Sequence, residues 1–207
     1  MSDALALIAH DLKNALGGLE DELSRLIDDP SPVMAQRAHL HCSELRRQFI
    51  QFLTLYGART EGLTAHCEDE SPQALLEALQ RVWNAKLKVD AQPVSIRIAT
   101  TPSVPAFWYF DHRLVRLALD AAIHNAVRFA RSQVTLDVRE DEGWLIWRVL
   151  DDGEGLGSED PAQDNATGLG TALSEAVATA HRSQGRSGHI GLKPAEGGGT
   201  EFTMALP

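Results

Sequence analysis

The stretch "IAHDLKNALGG", residues 8–18, sets His10, Asp11, Lys13 and Asn14 side by side. On a helix, residues three and four apart share a face, so His10, Lys13, Asn14, Gly17 and Asp21 form one polar stripe. An imidazole on such a stripe faces solvent. Asp11 can accept a hydrogen bond from one ring nitrogen, which leaves the other unprotonated and nucleophilic near neutral pH. Asn14, one turn on, can orient a water beside anything attached to that ring. Gly17 and Gly18 each cost roughly 1 kcal/mol of helix propensity relative to alanine. They either clear space for another protein to approach or let two helices pack closely.

A second set of chemical residues is spread over the C-terminal two thirds. "VLDDGEGLG" (149–157) follows a strand pattern and places Asp151, Gly153 and Gly155 in a DxGxG spacing. A buried carboxylate at a strand end can accept from an exocyclic amine, and glycines let a flat ring approach the backbone. "TGLGTAL" (167–173) opens a helix at Gly168 and Gly170, where free backbone N–H groups and the positive dipole end suit a polyphosphate. Asn125, in "IHNAVRFA", stands mid-helix, where asparagine is a poor helix former. Its oxygen suits a magnesium ion that bridges phosphates, and Arg128 on the same face can reach a phosphate. "GGGTEFTMALP" supplies a glycine turn into a closing strand that begins at Thr200.

The elements that must hold these residues follow from apolar spacing. Ile8, Leu12, Leu16, Leu19, Leu23 and Leu26 recur at helical steps, and "DDPSP" (28–32) stops the helix. A second helical pattern runs from Val33 to Tyr56 with Leu45, Phe49, Phe52, Leu53 and Tyr56 on one face, ending at Gly57. This antiparallel hairpin, residues 1–58, is too thin to bury both stripes, so a homodimer forming a four-helix bundle is expected. Residues 59–71 read as a linker, rich in small and acidic residues. Residues 72–207 alternate helices with adjacent strands: a helix capped by Ser71 and Pro72, strands at 94–100 and 107–110, then the helix from Asp111 to Ala130. A strand pair turned at "DEG", the helix "GLGTALSEAVATAHRS" and two closing strands complete the pattern. The fold class is therefore α+β: a helical hairpin followed by a two-layer α/β sandwich.

Composition narrows the functions. The 207 residues carry 29 acidic against 19 basic side chains, a formal net charge of −10, which opposes binding to nucleic acid or anionic lipid. No apolar run suits a membrane span and no secretory signal pattern precedes His10, so a cytoplasmic location is expected. Cys42 and Cys67 read as free thiols. His39 and His41 read as surface residues, His66, His112, His124, His181 and His189 as solvated or capping, and the four tryptophans as core or sheet packing.

In order and spacing, these motifs resemble the core of a two-component sensor histidine kinase. "HDLKN" looks like its phospho-acceptor box, "HNAVRFA" its asparagine box, "DDGEG" and "TGLGT" its glycine boxes, and "GGGTEF" with the final "LP" its terminal box. The resemblance implies a histidine-kinase-like ATPase fold for residues 72–207, the fold shared with DNA gyrase and the Hsp90 chaperone. It implies His10 as phosphoryl acceptor, Asp11 as its activator and Asn14 as the residue that positions water for dephosphorylation. ATP and Mg²⁺ are the implied cofactors. Asn125 would bind the metal, Asp151 the adenine amine, and Arg128, Gly153, Gly155, Gly168, Gly170 and Thr200 the rest of the nucleotide. The implied partner is a response-regulator receiver domain, with a separate sensor protein supplying the input, since only nine residues precede His10. The chain departs from the pattern at Ala121, where an asparagine is usual, and at Ala15, where a proline is common. Only 12 residues separate Gly155 from Gly168, a short cover for a nucleotide. These departures keep open an ATP-independent histidine phosphotransferase of the same architecture, and a non-catalytic regulator of the anti-sigma type.

Overall fold

The computed structural model describes residues 2–99, 104–155 and 168–207, with their side chains except at 2–5 and 7. The chain divides into two compact units, Met1–Gly62 and Leu63–Pro207.

The first unit is a helical hairpin. Helix α1 (Ser2–Asp28) runs unbroken through Ala15, and α2 (Pro32–Thr60) starts on Pro32 behind Ser31. Leu12, Leu19, Ala38 and Leu45 form the buried seam, with Ile8, Ala15 and Phe52 packed against it. Glu22 ties the helices together, accepting from Arg37 at 3.0 Å and contacting His41 Nδ1 at 3.3 Å, so His41 is a half-buried link and not a surface residue. The buried face of α2 is also not the expected one. It presents Ala38, Leu45, Gln48, Gln51 and Leu55, while Phe49, Leu53 and Tyr56 stay exposed, as do Leu16 and Leu23 on α1. The helix continues past Gly57 because residues 57–60 keep their backbone bonds and Thr60 closes the last turn on Tyr56.

The second unit is a two-layer sandwich. Its elements are β1 (Glu68–Glu70), α3 (Pro72–Val89), β2 (Ser95–Ile98), β3 (Trp108–Phe110), α4 (His112–Phe129), β4 (Gln133–Asp141), β5 (Trp144–Asp151) and α5 (Leu169–Ala180). Two short strands, β6 (Arg182–Ser183) and β7 (Arg186–Ser187), then β8 (His189–Pro194) and β9 (Thr200–Leu206) close the chain. The main sheet has the order β2-β4-β5-β9-β8, with β2 and β4 parallel and every other pair antiparallel. Alternate residues Leu145, Trp147, Val149 and Asp151 of β5 are buried, so the strand's last inward position is a carboxylate. Helices α3, α4 and α5 pack against the sheet. Across the sheet's other surface, Arg148 bridges Asp137 of β4 at 3.2 Å and Glu201 of β9 at 2.7 Å. At the β2 edge, the Asn84 amide bonds both N–H and C=O of Ile96, which satisfies backbone groups that an edge strand otherwise leaves open.

Two segments differ from the sequence expectation for reasons of long-range pairing. Residues 68–70, expected in the irregular linker, form β1 against β3, Glu68 opposite Phe110. The α5 helix stops at Ala180 instead of running through Ser183, because a tight hairpin turns at Gln184 and Gly185, both with positive φ.

His181, just past α5, is 2% exposed. Its Nε2 accepts the Asp111 N–H at 3.0 Å and its Nδ1 lies 2.8 Å from the Val177 carbonyl, so only the neutral ring with its proton on Nδ1 satisfies both partners. Asp111 in turn caps α4 through Leu114 N–H and accepts from His66 N–H. Burial lowers the His181 pKa below 6.5, against the opposing pull of the Val177 bond and the Asp111 charge. Below about 6.5 the unfolded chain therefore takes up a proton that the folded one refuses, and stability falls with falling pH. Urea unfolding from pH 7.5 down to 5.5 is expected to show this decline in the wild type and a flatter profile in His181→Asn.

Candidate functional site

The helical unit presents the first group of residues. His10 and Asp11 are exposed, with side-chain exposures of 64% and 53%, so the ring is open to a visiting phosphate. Its Nδ1 lies 3.5 Å from Asp11 Oδ1 and 3.2 Å from Asn14 Nδ2. The i, i+4 spacing of His10 and Asn14 on a continuous helix produces that contact. Gly17, on the same stripe, would place a Cβ in open space, whereas a Cβ on Gly18 would come within 3.9 Å of His41. Open space at Gly17 keeps the approach reading; Gly18 lies beside the partner helix.

The α/β unit gathers the second group around α4. Asp151, 7% exposed, holds its Oδ1 on the Gly153 N–H at 2.9 Å, and no other described residue bonds its carboxylate. Gly153 sits against the Phe129 carbonyl at the end of α4, and a Cβ there would meet Asp151 Oδ1 at 2.8 Å. Gly199 lies over the Asp151 backbone, where a Cβ would collide with the Asp151 carbonyl, and it brings Gly155 within reach of its own carbonyl oxygen. These close approaches need glycine. Thr200, half-buried, follows directly as the first residue of β9.

One turn back on α4, the exposed Asn125 has its amide nitrogen 3.5 Å from where a Gly170 Cβ would stand, with the Ala121 methyl at 3.6 Å. Arg128 is half-buried and its guanidinium stands 5.9 Å over the Phe129 ring. Gly168 caps α5 in a left-handed conformation and supplies no side-chain cap, so among the described residues the first-turn N–H groups remain for a ligand. Buried Ser174 links α5 to α4, its hydroxyl lying 3.4 Å from the Ala118 carbonyl of α4 as well as 2.9 Å from the Gly170 carbonyl of its own helix. The cradle thus joins Asp151, Gly153 and Gly155 on one side of the α4 C-terminal half to Gly170 on the other. Residues 156–167, including Thr167 and the expected short cover, lie outside the described residues.

Two further residues shape this site, Gly199 and Asp152. Their signals in the sequence are a run of three glycines and a doubled aspartate. Asp152 accepts from the backbone N–H groups of Arg131, Ser132 and Gln133 and from the Ser132 hydroxyl at 2.6 Å, which clamps the start of β4 to the end of β5 beside Asp151. Partial burial pushes its pKa up, but these donors outweigh it and hold the carboxyl at about 2, against 3.8 ordinarily. The clamp is full above pH 3.8 and is lost as pH falls toward 2. Asp152→Ala is expected to cost about 1.5–3 kcal/mol at neutral pH by denaturant titration, with the gap to the wild type closing below pH 3.

Among the described residues, no three His, Cys, Asp or Glu side chains converge to hold a metal. No described helix is long and apolar enough to cross a membrane.

Residues 110–207 match the family described as histidine kinase-, DNA gyrase B-, and HSP90-like ATPase. The heme sensor protein HssS of Staphylococcus haemolyticus is 28% identical over 110 residues, 47% of this chain and 23% of that protein. The sensor protein RstB of Escherichia coli is 26% identical over an alignment that covers 97% of this chain and 47% of that protein. The chain therefore spans about half, or less, of the length of these curated relatives. Among solved structures, the Acinetobacter baumannii histidine kinase AdeS superposes with a TM-score of 0.70 at 22% identity, covering 95% of this chain and 96% of that one. Full-length ShkA in complex with AMPPNP superposes at 0.64 with 19% identity, over 99% of this chain and 45% of that one. At these identities the structural likeness shows the fold, a helical hairpin with the α+β sandwich described above.

Proposed function

We propose that this protein is a histidine kinase, a reading supported by the match of residues 110–207 to the family described as histidine kinase-, DNA gyrase B-, and HSP90-like ATPase. It transfers the γ-phosphoryl group of ATP to His10, and then to an aspartate on a response-regulator receiver domain. The observation that carries this reading is Asp151. It is a carboxylate buried at a strand end, held by one oxygen to Gly153, with Gly153 and Gly199 stripped of side chains around it. That arrangement suits a flat base whose exocyclic amine donates to the remaining oxygen.

The other residues take roles that their positions allow. The α5 start, at Gly168 and Gly170, receives phosphate oxygens on its free N–H groups. With no cluster of carboxylates among the described residues, Mg²⁺ would rest on the Asn125 side chain together with nucleotide phosphates, where it neutralises phosphate charge. Arg128 and Thr200 complete the nucleotide contacts. At His10, the Nε2 lone pair forms the N–P bond as the bond from phosphorus to the bridging oxygen breaks, its electron pair leaving with ADP. Asp11 faces the resulting imidazolium and stabilises its charge. On a receiver aspartyl phosphate, Asn14 positions water for hydrolysis. The exposed apolar residues Leu16, Leu23, Leu53 and Tyr56 support pairing of two hairpins into a four-helix bundle.

Calorimetric titration with a non-hydrolysable ATP analogue tests this. Micromolar binding that requires magnesium upholds the kinase. Absence of binding, with His10 still able to take phosphate from a phosphorylated receiver domain, would replace it by the ATP-independent phosphotransferase.

A further inference from the structure

One ring nitrogen in this protein has two neighbours with opposite demands. His10 Nδ1 is 3.2 Å from the Asn14 amide nitrogen and 3.5 Å from the Asp11 carboxylate. An amide N–H can only donate, so it needs the Nδ1 lone pair and leaves the ring proton on Nε2. A carboxylate can only accept, so it needs Nδ1–H and leaves Nε2 bare. The two bonds exclude each other on a neutral ring, and the amide has the shorter contact.

We propose that Asn14 is a positioning residue that holds His10 as the Nε2–H tautomer, a resting form released when Asp11 takes over Nδ1. The consequence for phosphotransfer rests on the function proposed above; the tautomer itself does not. In the held form, Nε2 carries a proton where the N–P bond must form, so its lone pair lies in the ring π system. In the released form, one proton has left Nε2 for water and one from water has arrived at Nδ1. The ring stays neutral and the Nε2 lone pair points outward. Attack then leaves Nδ1–H in place, facing the Asp11 carboxylate. Nothing else on the described helix competes for this nitrogen. Asn14 and His10 are both exposed, so exchange of partners requires only side-chain rotation.

Nitrogen NMR of imidazole-labelled full-length protein, recorded without nucleotide at a pH where the ring is neutral, reads the tautomer directly. The wild type is expected to show Nε2–H. Asn14→Ala is expected to move the ring toward Nδ1–H, and Asn14→Ala combined with Asp11→Asn to move it back. The initial phosphorylation rate of Asn14→Ala with Mg–ATP should rise roughly two- to tenfold, following the fraction of rings in the competent form. A ring whose tautomer is the same in wild type and Asn14→Ala overturns the inference, even if phosphorylation proceeds. A tautomer that shifts as expected, in a protein that never takes phosphate from ATP, upholds the placement of Asn14 and sinks the kinase reading instead.

Discussion

His10→Gln abolishes acid-labile phosphate on the protein while nucleotide binding and thermal stability stay at wild-type values. The separation follows from where the residue sits. Its side chain is 64% exposed and takes no part in the buried seam of Leu12, Leu19, Ala38 and Leu45, so its loss leaves the hairpin packing intact. Glutamine keeps polarity and helix propensity but offers no nitrogen lone pair for an N–P bond. Residual incorporation is expected at background. Asp11→Asn should fall between the two. It retains the nucleophile and loses the facing charge, for a rate loss on the order of a hundredfold, in the usual range for a positioned acid–base group. Labelled ATP with quantification before and after acid treatment reads both variants.

Asp151→Asn is the second large effect, and it lies in the other unit. Asparagine still offers an acceptor to the Gly153 N–H, so the turn at the end of β5 keeps its shape. What is lost is the charge on an oxygen that no described residue engages. A hydrogen bond to a charged group contributes about 1.5–3 kcal/mol, which corresponds to binding weaker by roughly 10- to 150-fold. The expected outcome is that loss in calorimetry with little change in unfolding midpoint. Gly153→Val is the contrasting variant: its side chain would run into the Phe129 carbonyl and the Asp151 carboxylate, so it should lose stability along with binding.

Local patterning made much of this legible beforehand. Helical spacing around His10 put an exposed polar stripe opposite a leucine seam, and the ring is indeed solvent-facing on a continuous α1. The DxGxG spacing at the end of a strand places Asp151 inward because inward and outward positions alternate along β5. What the pattern could not reveal are partners far apart in the chain. His181 is isolated in sequence, yet it is buried because its ring meets the backbone of Asp111, 70 residues away. Residues 68–70 carry no strand periodicity of their own and become one only because β3 offers an edge. On α2 the polar Gln48 and Gln51 are buried while Phe49 and Leu53 are not, an arrangement invisible to a count of apolar residues. Gly199 needed knowledge of which backbone it would lie against, and Asp152 of which three amides would converge on it.

The most direct measurement of the central claim is to incubate the wild-type protein with Mg–ATP and locate the phosphate by phosphorus NMR and fragmentation mass spectrometry under alkaline conditions. The expected result is a single phosphoryl group on Nε2 of His10, stable in base, lost in acid, and transferable to a receiver aspartate. Phosphate on a serine or threonine, on another histidine, or on no residue at all despite tight nucleotide binding would contradict it.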